Sequence, residues 1–283
     1  MSQLRDYVVA DVFTEVPLEG NPVAVFLNGS GLDAELMQRT ARELNLSETV
    51  FVLPAEGNAD HTPIRIFTPL AELPFAGHPV LGTAFVLAEN SDEKVIRLAP
   101  PIGPVPVALR RADGRVSYGE MEQPLPQQVR FGRDEELLAA LGIEHADDPP
   151  AAYTNGPTFV YVGVGSEAEL SALRPDLNAL CELGELGFSC FAGSAPNVRT
   201  RMFAPALGVP EDPATGSAAG PLGVHLLRSG RLAAGERLAL RQGQEIGRPA
   251  VLHVRIEGTP ERIERVAVGG SAVIVARGRF QLS

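Results

Sequence analysis

The amino-acid sequence predicts an α/β (α+β) protein of two pseudo-symmetric domains, each a curled, mostly antiparallel sheet or barrel around a central apolar helix. An internal repeat is the first sign. Arg65-Ile66-Phe67-Thr68-Pro69 precedes Phe75-Ala76-Gly77-His78-Pro79, which opens the apolar run Val80 to Ala88. Arg201-Met202-Phe203-Ala204-Pro205 precedes Thr215-Gly216-Ser217 and an apolar run ending near Leu227. Both halves read strand, Pro-marked loop, Gly plus a polar residue, then helix. The second sign is that Val80, Leu81, Ala84, Phe85, Val86, Leu87 and Ala88 leave no polar face, and Ala218, Ala219, Leu222, Val224, Leu226 and Leu227 nearly match them. A helix apolar all round is buried on all sides, here by strand-rich protein. The third is length: 283 residues suffice for two cores. The domains are placed at 1–125 and 126–283, the final strand being free to cross back to the first.

Tyr7 to Phe13 alternates as a strand, and Gly20-Asn21-Pro22 turns it into a second, Val23 to Leu27. Asp33 is set to cap a helix whose apolar face includes Leu36, Met37, Ala41 and Leu44. Asn45-Leu46-Ser47-Glu48-Thr49 ends that helix and leads into the strand Val50 to Leu53. After the first apolar helix, Val95 to Leu98, Val105 to Arg110 and Val116 to Met121 form a meander with turns at Gly103 and Asp113-Gly114. Glu122 to Gln128, rich in Pro and Gln, reads as the linker. Beyond it come a helix at Asp134 to Leu141, strands at Ala151 to Thr154 and Thr158 to Gly163, and helical stretches at Ser166 to Leu173 and Leu177 to Leu183. A strand at Val198 to Phe203 and the second apolar helix follow, with Pro221 inside the helix as a misfit that should kink it. Gly230 suits its left-handed stop. Strands near Leu238, Val251 to Ile256, Arg262 to Val268 and Ala272 to Ala276 close the chain.

Composition excludes several function classes. A net charge of −11 argues against a nucleic-acid surface, which needs clustered Lys and Arg. No apolar run approaches the ~18 residues of a membrane-spanning helix. Met1 to Asp6 lacks a signal-peptide layout, so a cytoplasmic address is the default expectation. Cys181 and Cys190 make neither a disulfide framework nor a metal-finger spacing, and no two of the five histidines form a metal-ligand pair on one helix face, so no metal is expected. His225, inside the second apolar helix, reads as a core histidine. Gly163-Val164-Gly165-Ser166-Glu167-Ala168 imitates a dinucleotide fingerprint, but Glu167 and Glu169 put negative charge where a pyrophosphate would sit. The flanking units also do not read as βαβ repeats, which argues further against NAD or FAD.

The candidate chemistry gathers at the two Gly-polar helix starts. Unpaired N–H groups and the helix dipole make Gly77-His78 and Gly216-Ser217 natural anion sites. The repeat implies that both face one cleft, enclosing a small anionic ligand such as a carboxylate and favouring a protonated His78. Asp212 sits beside the second start although Thr215 is already a good N-cap, so an exposed capping residue and a functional acid are both open readings. Glu48 precedes an apolar strand. It reads either as a solvent-facing residue or as a partly desolvated acid of raised pKa, suited to acid/base work near neutral pH.

Several blocks carry a resemblance. They are Asp11-Val12-Phe13 with Pro17 to Val25, Leu46-Ser47-Glu48, Glu72 to Pro79, Tyr153 to Pro157, Cys190-Phe191-Ala192-Gly193, Asp212 to Ala219, and Glu245 to Pro249. In this order they resemble the PhzF family of phenazine biosynthesis over essentially the whole chain. The resemblance implies a fold similar to diaminopimelate epimerase and a cofactor-free isomerase that forms a homodimer. In the family's named reaction, trans-2,3-dihydro-3-hydroxyanthranilate loses a proton from C3 and is reprotonated at C1, giving an enol that becomes the ketone. The family's acid/base carboxylate falls on Glu48, and its supporting Asp, His and Ser fall on Asp212, His78 and Ser217. Substrate contacts are implied at Ser47, Gly77, Gly216 and Ser217. The chain departs from the pattern at Ser194-Ala195-Pro196-Asn197, beside the implied site. Racemases of the same fold class use paired thiols, but Cys181 and Cys190 lie outside both helix starts. Two alternatives stay open: a related isomerase or epimerase of another small amino or hydroxy acid, and a non-catalytic protein that binds a ligand or partner.

Overall fold

A computed structural model of the chain describes residues 3–55, 57 and 60–282. It divides into two compact units, Met1–Glu122 with Gly269–Ser283, and Gln123–Val268. No helix among the described residues is long and apolar enough to cross a membrane.

In the first unit, β1 (Gln3–Val12) and β2 (Asn21–Phe26) pair antiparallel, Tyr7 opposite Phe26 and Val12 opposite Asn21. Buried Asp11 holds the loop between them by accepting the Leu18 N–H at 2.7 Å. Helix α1 (Ala34–Leu44) is capped by Asp33 as expected, its Oδ1 accepting from the Leu36 N–H at 2.8 Å. The chain then enters β3 (Glu48–Val52), parallel to β2. β4 (Thr62–Phe67) runs antiparallel to β3, and the short β5 (Glu72–Leu73) pairs with β4. Helix α2 (Gly77–Ala88) crosses over to β6 (Val95–Ala99), parallel to β4. β7 (Val105–Ala112) and β8 (Arg115–Glu122) continue as the expected meander. The C-terminal strand, Ala272–Leu282, pairs with β1 along its whole length, well beyond the Ala276 expected. Arg277, Gly278 and Arg279 disguise that extension, since pairing with β1 needs backbone groups rather than an apolar pattern.

Helix α2 packs on β1, β2, β3, β6, β7, β8 and the C-terminal strand, which is why it has no polar face. All of it but Leu87 is buried. Gly82 marks the closest approach: a Cβ there would meet Val23 Cγ1 at 2.6 Å and Val12 Cγ2 at 2.8 Å.

In the second unit, β9 (Gln127–Val129), β10 (Ala151–Thr154) and β11 (Thr158–Gly163) pair antiparallel in turn, with α3 (Asp134–Leu141) between β9 and β10. Two short helices, α4 (Glu167–Ala172) and α5 (Leu177–Glu182), lead to β12 (Gly187–Ser194), parallel to β11. β11 to β12 is therefore a βαβ crossover, and so is β2 to β3, contrary to the expectation that no such unit flanks the glycine-rich stretch. β13 (Asn197–Ala204) and β14 (Val209–Asp212) follow antiparallel. Helix α6 (Gly216–Arg228) crosses to β15 (Leu238–Gln242), parallel to β13, and β16 (Ala250–Gly258) and β17 (Ile263–Gly270) complete the order. Residues Gly216 to Leu227 are all buried.

The strand registers make the repeat quantitative. Arg65 lies opposite Phe51, and Arg201 opposite Cys190, which sets Glu48 against Gly187. Leu73 lies opposite Ile66, and Asp212 opposite Met202, which sets Leu73 against Asp212 and His78 against Ser217. The same contacts recur in both units. Arg65 grips Glu72 through two hydrogen bonds of 2.7 and 2.6 Å, and Arg201 grips Glu211 through two of 2.9 and 2.8 Å. Each guanidinium lies 5.1 Å from the ring centre of a phenylalanine, Phe67 or Phe203.

Candidate active site

The first unit brings Glu48 and His78 together. Glu48 is the first residue of β3 and His78 the second of α2, and both are buried, at 8% and 2% exposure. His78 Nε2 lies 3.2 Å from Glu48 Oε2. Asn21, fully buried at the start of β2, holds the ring from its other side, with Nδ2 3.1 Å from His78 Nδ1. Burial pushes the His78 pKa down from 6.5 to about 3, against a weaker upward pull from a hydrogen bond to the Pro22 backbone. In the chain alone this holds the ring neutral, because a fully buried cation loses more hydration than these contacts return; the imidazolium is an expectation for the anion-bound state. Ser47, half-buried, immediately precedes Glu48, and buried Gly77 opens α2. The N-cap of α2, Ala76, offers no side-chain cap.

The second unit gathers Asp212, Gly216 and Ser217, all buried. Thr215 is indeed the N-cap of α6, but its hydroxyl makes no cap hydrogen bond to the helix; it donates instead to Asp212 Oδ2 at 2.5 Å. Asp212, at 4% exposure, is not an exposed capping residue. Pro221 stays inside a continuous helix because its missing N–H is replaced. The Ser217 carbonyl, four residues earlier, accepts from Asn155 Nδ2 at 3.0 Å. The neighbouring Gly216 and Ala218 carbonyls accept from Gln123 Nε2 at 2.7 Å and the Tyr161 hydroxyl at 2.8 Å. Gln123 was expected in an aperiodic linker, yet it is 4% exposed and structural. These amide and hydroxyl residues, with Asn21 and Gln242, escaped sequence reasoning because a lone Asn or Gln in a strand or turn carries no periodic signal.

The decoys resolve plainly. Ser166 caps α4 by accepting the Glu169 N–H at 3.1 Å, and a Cβ on Gly165 would meet the Glu169 carboxylate at 3.1 Å. The glycine-rich stretch thus faces its own acid, which repels a pyrophosphate. His225 is a core ring among Tyr153, Tyr161 and Phe191, with centroids 5.9, 6.1 and 5.7 Å away. Cys190 is buried on β12, where burial pushes its thiol up to about 12, far from a reactive thiolate, and Cys181 lies exposed on α5.

The fold defines a class: two-unit α+β proteins in which sheets enclose apolar helices. A hydroxyproline epimerase from Agrobacterium vitis shares this fold with a TM-score of 0.68 at 13% identity, covering 98% of this chain and 91% of that one. Within the class, residues 10–278 match the PhzC-PhzF family of phenazine biosynthesis-like proteins, and the chain belongs to that family. A relative from Pseudomonas aeruginosa, named trans-2,3-dihydro-3-hydroxyanthranilate isomerase, is 50% identical over 279 residues, covering 99% of this chain and 100% of the relative. A PhzF-family phenazine biosynthesis protein from Bacillus anthracis has a TM-score of 0.84 at 26% identity, covering 98% of this chain and 99% of that one.

Proposed function

We propose that the protein is a cofactor-independent isomerase of trans-2,3-dihydro-3-hydroxyanthranilate, with Glu48 carrying the proton from C3 to C1. The carrying observation is the buried Glu48 carboxyl facing a neutral His78 at 3.2 Å. A C–H beside an unsaturated system is a weak acid, so its base must lie within reach and out of bulk water. The repeat supports a single base. The position matching Glu48 is Gly187, where even a Cβ would meet the Phe159 ring at 2.4 Å, so no second carboxylate fits there. Negative charge built on proton removal spreads over the ring and carboxylate of the substrate. The side-chain-uncapped starts of α2 and α6, with Gly77, Gly216 and Ser217, are assigned to hold such charge, and Ser47 to contact the substrate. Asp212 is assigned a supporting role in the same reaction.

A buried Glu beside a neutral histidine favours an enzyme over a passive binder, which gains nothing from a desolvated acid. The named isomerase from Pseudomonas aeruginosa, half identical over 279 residues, favours this substrate over another small amino or hydroxy acid. The test is incubation of the purified protein with the dihydro acid in D2O, followed by NMR. Conversion to the ketone with solvent deuterium at C1 is expected, and an unchanged substrate spectrum contradicts the reading. A cytoplasmic location is proposed with it; recovery in a membrane or secreted fraction would remove that part.

A further inference from the structure

Asp212 and three other buried polar side chains, from separate strands and a helix start, form a closed network. Gln242, at the end of β15, is 4% exposed, Thr200 on β13 is 2%, Thr215 is 7% and Asp212 is 4%. Gln242 orients the rest. The Thr215 N–H can only donate, and it meets Gln242 Oε1 at 3.3 Å; the Asp212 carbonyl can only accept, and it meets Gln242 Nε2 at 2.8 Å. The amide therefore has one orientation. Thr200 adds its hydroxyl to Oε1 at 3.2 Å, and Nε2 gives its second hydrogen to Thr215 Oγ1 at 3.0 Å. With a lone pair of its oxygen so engaged, the Thr215 hydroxyl sends its one proton to Asp212 Oδ2, 2.5 Å away.

The repeat separates structural need from function. By strand register, Thr200, Asp212, Thr215 and Gln242 correspond to Ile64, Leu73, Ala76 and Pro100 in the first unit. The same strands and helix start are closed there by four residues with no polar side chain. The fold does not require the network, and a buried polar network is retained at the risk of unsatisfied groups. Thr215 also gives up the cap hydrogen bond that its position offers.

We infer that Gln242 and Thr215 are positioning residues that fix Asp212 as a charged, oriented carboxylate for the isomerisation, a conclusion that rests on the reading of Asp212 as part of the active site. A hydroxyl donated to a carboxylate favours its charged form, and the direction of that donation is imposed by Gln242. Gln242 acts through Thr215, not on the substrate.

The test compares Thr215→Val, Thr215→Ser, Gln242→Glu and Asp212→Asn on the dihydro acid, with melting temperatures recorded. Thr215→Val keeps the shape but loses the donor. Its kcat is expected to fall by about tenfold or more, with KM changing much less, and the acid limb of its kcat/KM profile to move to higher pH. Thr215→Ser restores the donor and should recover turnover to within about threefold of wild type. Once ionised, Gln242→Glu cannot donate to Thr215 Oγ1 and draws its proton away from Asp212, so at pH values above its own pKa it should repeat the Thr215→Val loss of turnover and carries the test if Thr215→Val fails to fold. A folded Thr215→Val, or in its place Gln242→Glu, with wild-type kcat and pH profile overturns the inference. So does a Thr215→Ser no better than Thr215→Val. An inactive Asp212→Asn alongside such wild-type-like variants leaves the active-site reading standing and removes only the positioning role. Wild-type turnover in Asp212→Asn removes both.

Discussion

At the scale of the residue, burial decides what His78 is. The unfolded chain protonates this histidine below its ordinary pKa near 6.5, whereas the folded protein resists until about 3. Between those values the unfolded state binds more protons, so stability is lost as pH falls through the window, at up to about 1.4 kcal/mol per pH unit from this group. Chemical denaturation at pH 7, 6 and 5 should show this loss, and His78→Asn should show a visibly shallower one. The difference isolates His78 from His225 and His253, which burial shifts in the same direction. Equal slopes in the two proteins would refute a neutral buried ring. The sequence made Glu48, His78, Asp212 and Ser217 legible because each stands at a recognisable junction, a strand start, a strand end or a helix start. Asn21, Thr200 and Gln242 were not legible. Their partners come from distant elements, Asn21 and His78 lying 57 residues apart and Thr200 and Gln242 42, and nothing local marks them as a pair.

At the scale of the element, the two apolar helices carry the fold. Phe85 is 5% exposed on α2, and its ring edge lies 2.9 Å from where a Cβ on Gly119 of β8 would stand. Phe85→Ala should destabilise by about 3–5 kcal/mol, the range for truncating a buried aromatic. A measured loss under about 1 kcal/mol, the size of a surface change, would refute a helix enclosed by its sheet. These helices were legible because an absent polar face has one physical meaning in a chain with no span-length apolar run. The parallel crossovers were not. α4 and α5 are each six residues long, too short for a clear helical period, and β12 is buried through Gly187 to Ala192, so it shows no alternation. Pro221 looked like a break because the sequence cannot display the Asn155 amide that takes its place in the hydrogen-bond ladder.

At the scale of the whole molecule, one repeated topology carries different chemistry in each half. Glu48 stands where its counterpart is Gly187, and Asp212 where its counterpart is Leu73. The repeat was legible from the paired Arg-x-Phe and Gly-polar blocks; the asymmetry emerged only with the strand registers. The homodimer is carried over from the family resemblance. Light scattering at micromolar concentration should give twice the 30.0 kDa chain mass, and a monomer would remove that proposal. The central claim is that a single carboxylate, Glu48, moves the proton. Glu48→Gln keeps shape and hydrogen-bonding capacity but removes the titratable group. In the D2O assay with the dihydro acid, the account predicts that this variant, folded as wild type, turns over at least about 10²-fold more slowly and delivers deuterium to C1 at that reduced rate. A folded Glu48→Gln protein that converts the dihydro acid at a near-wild-type rate would contradict it.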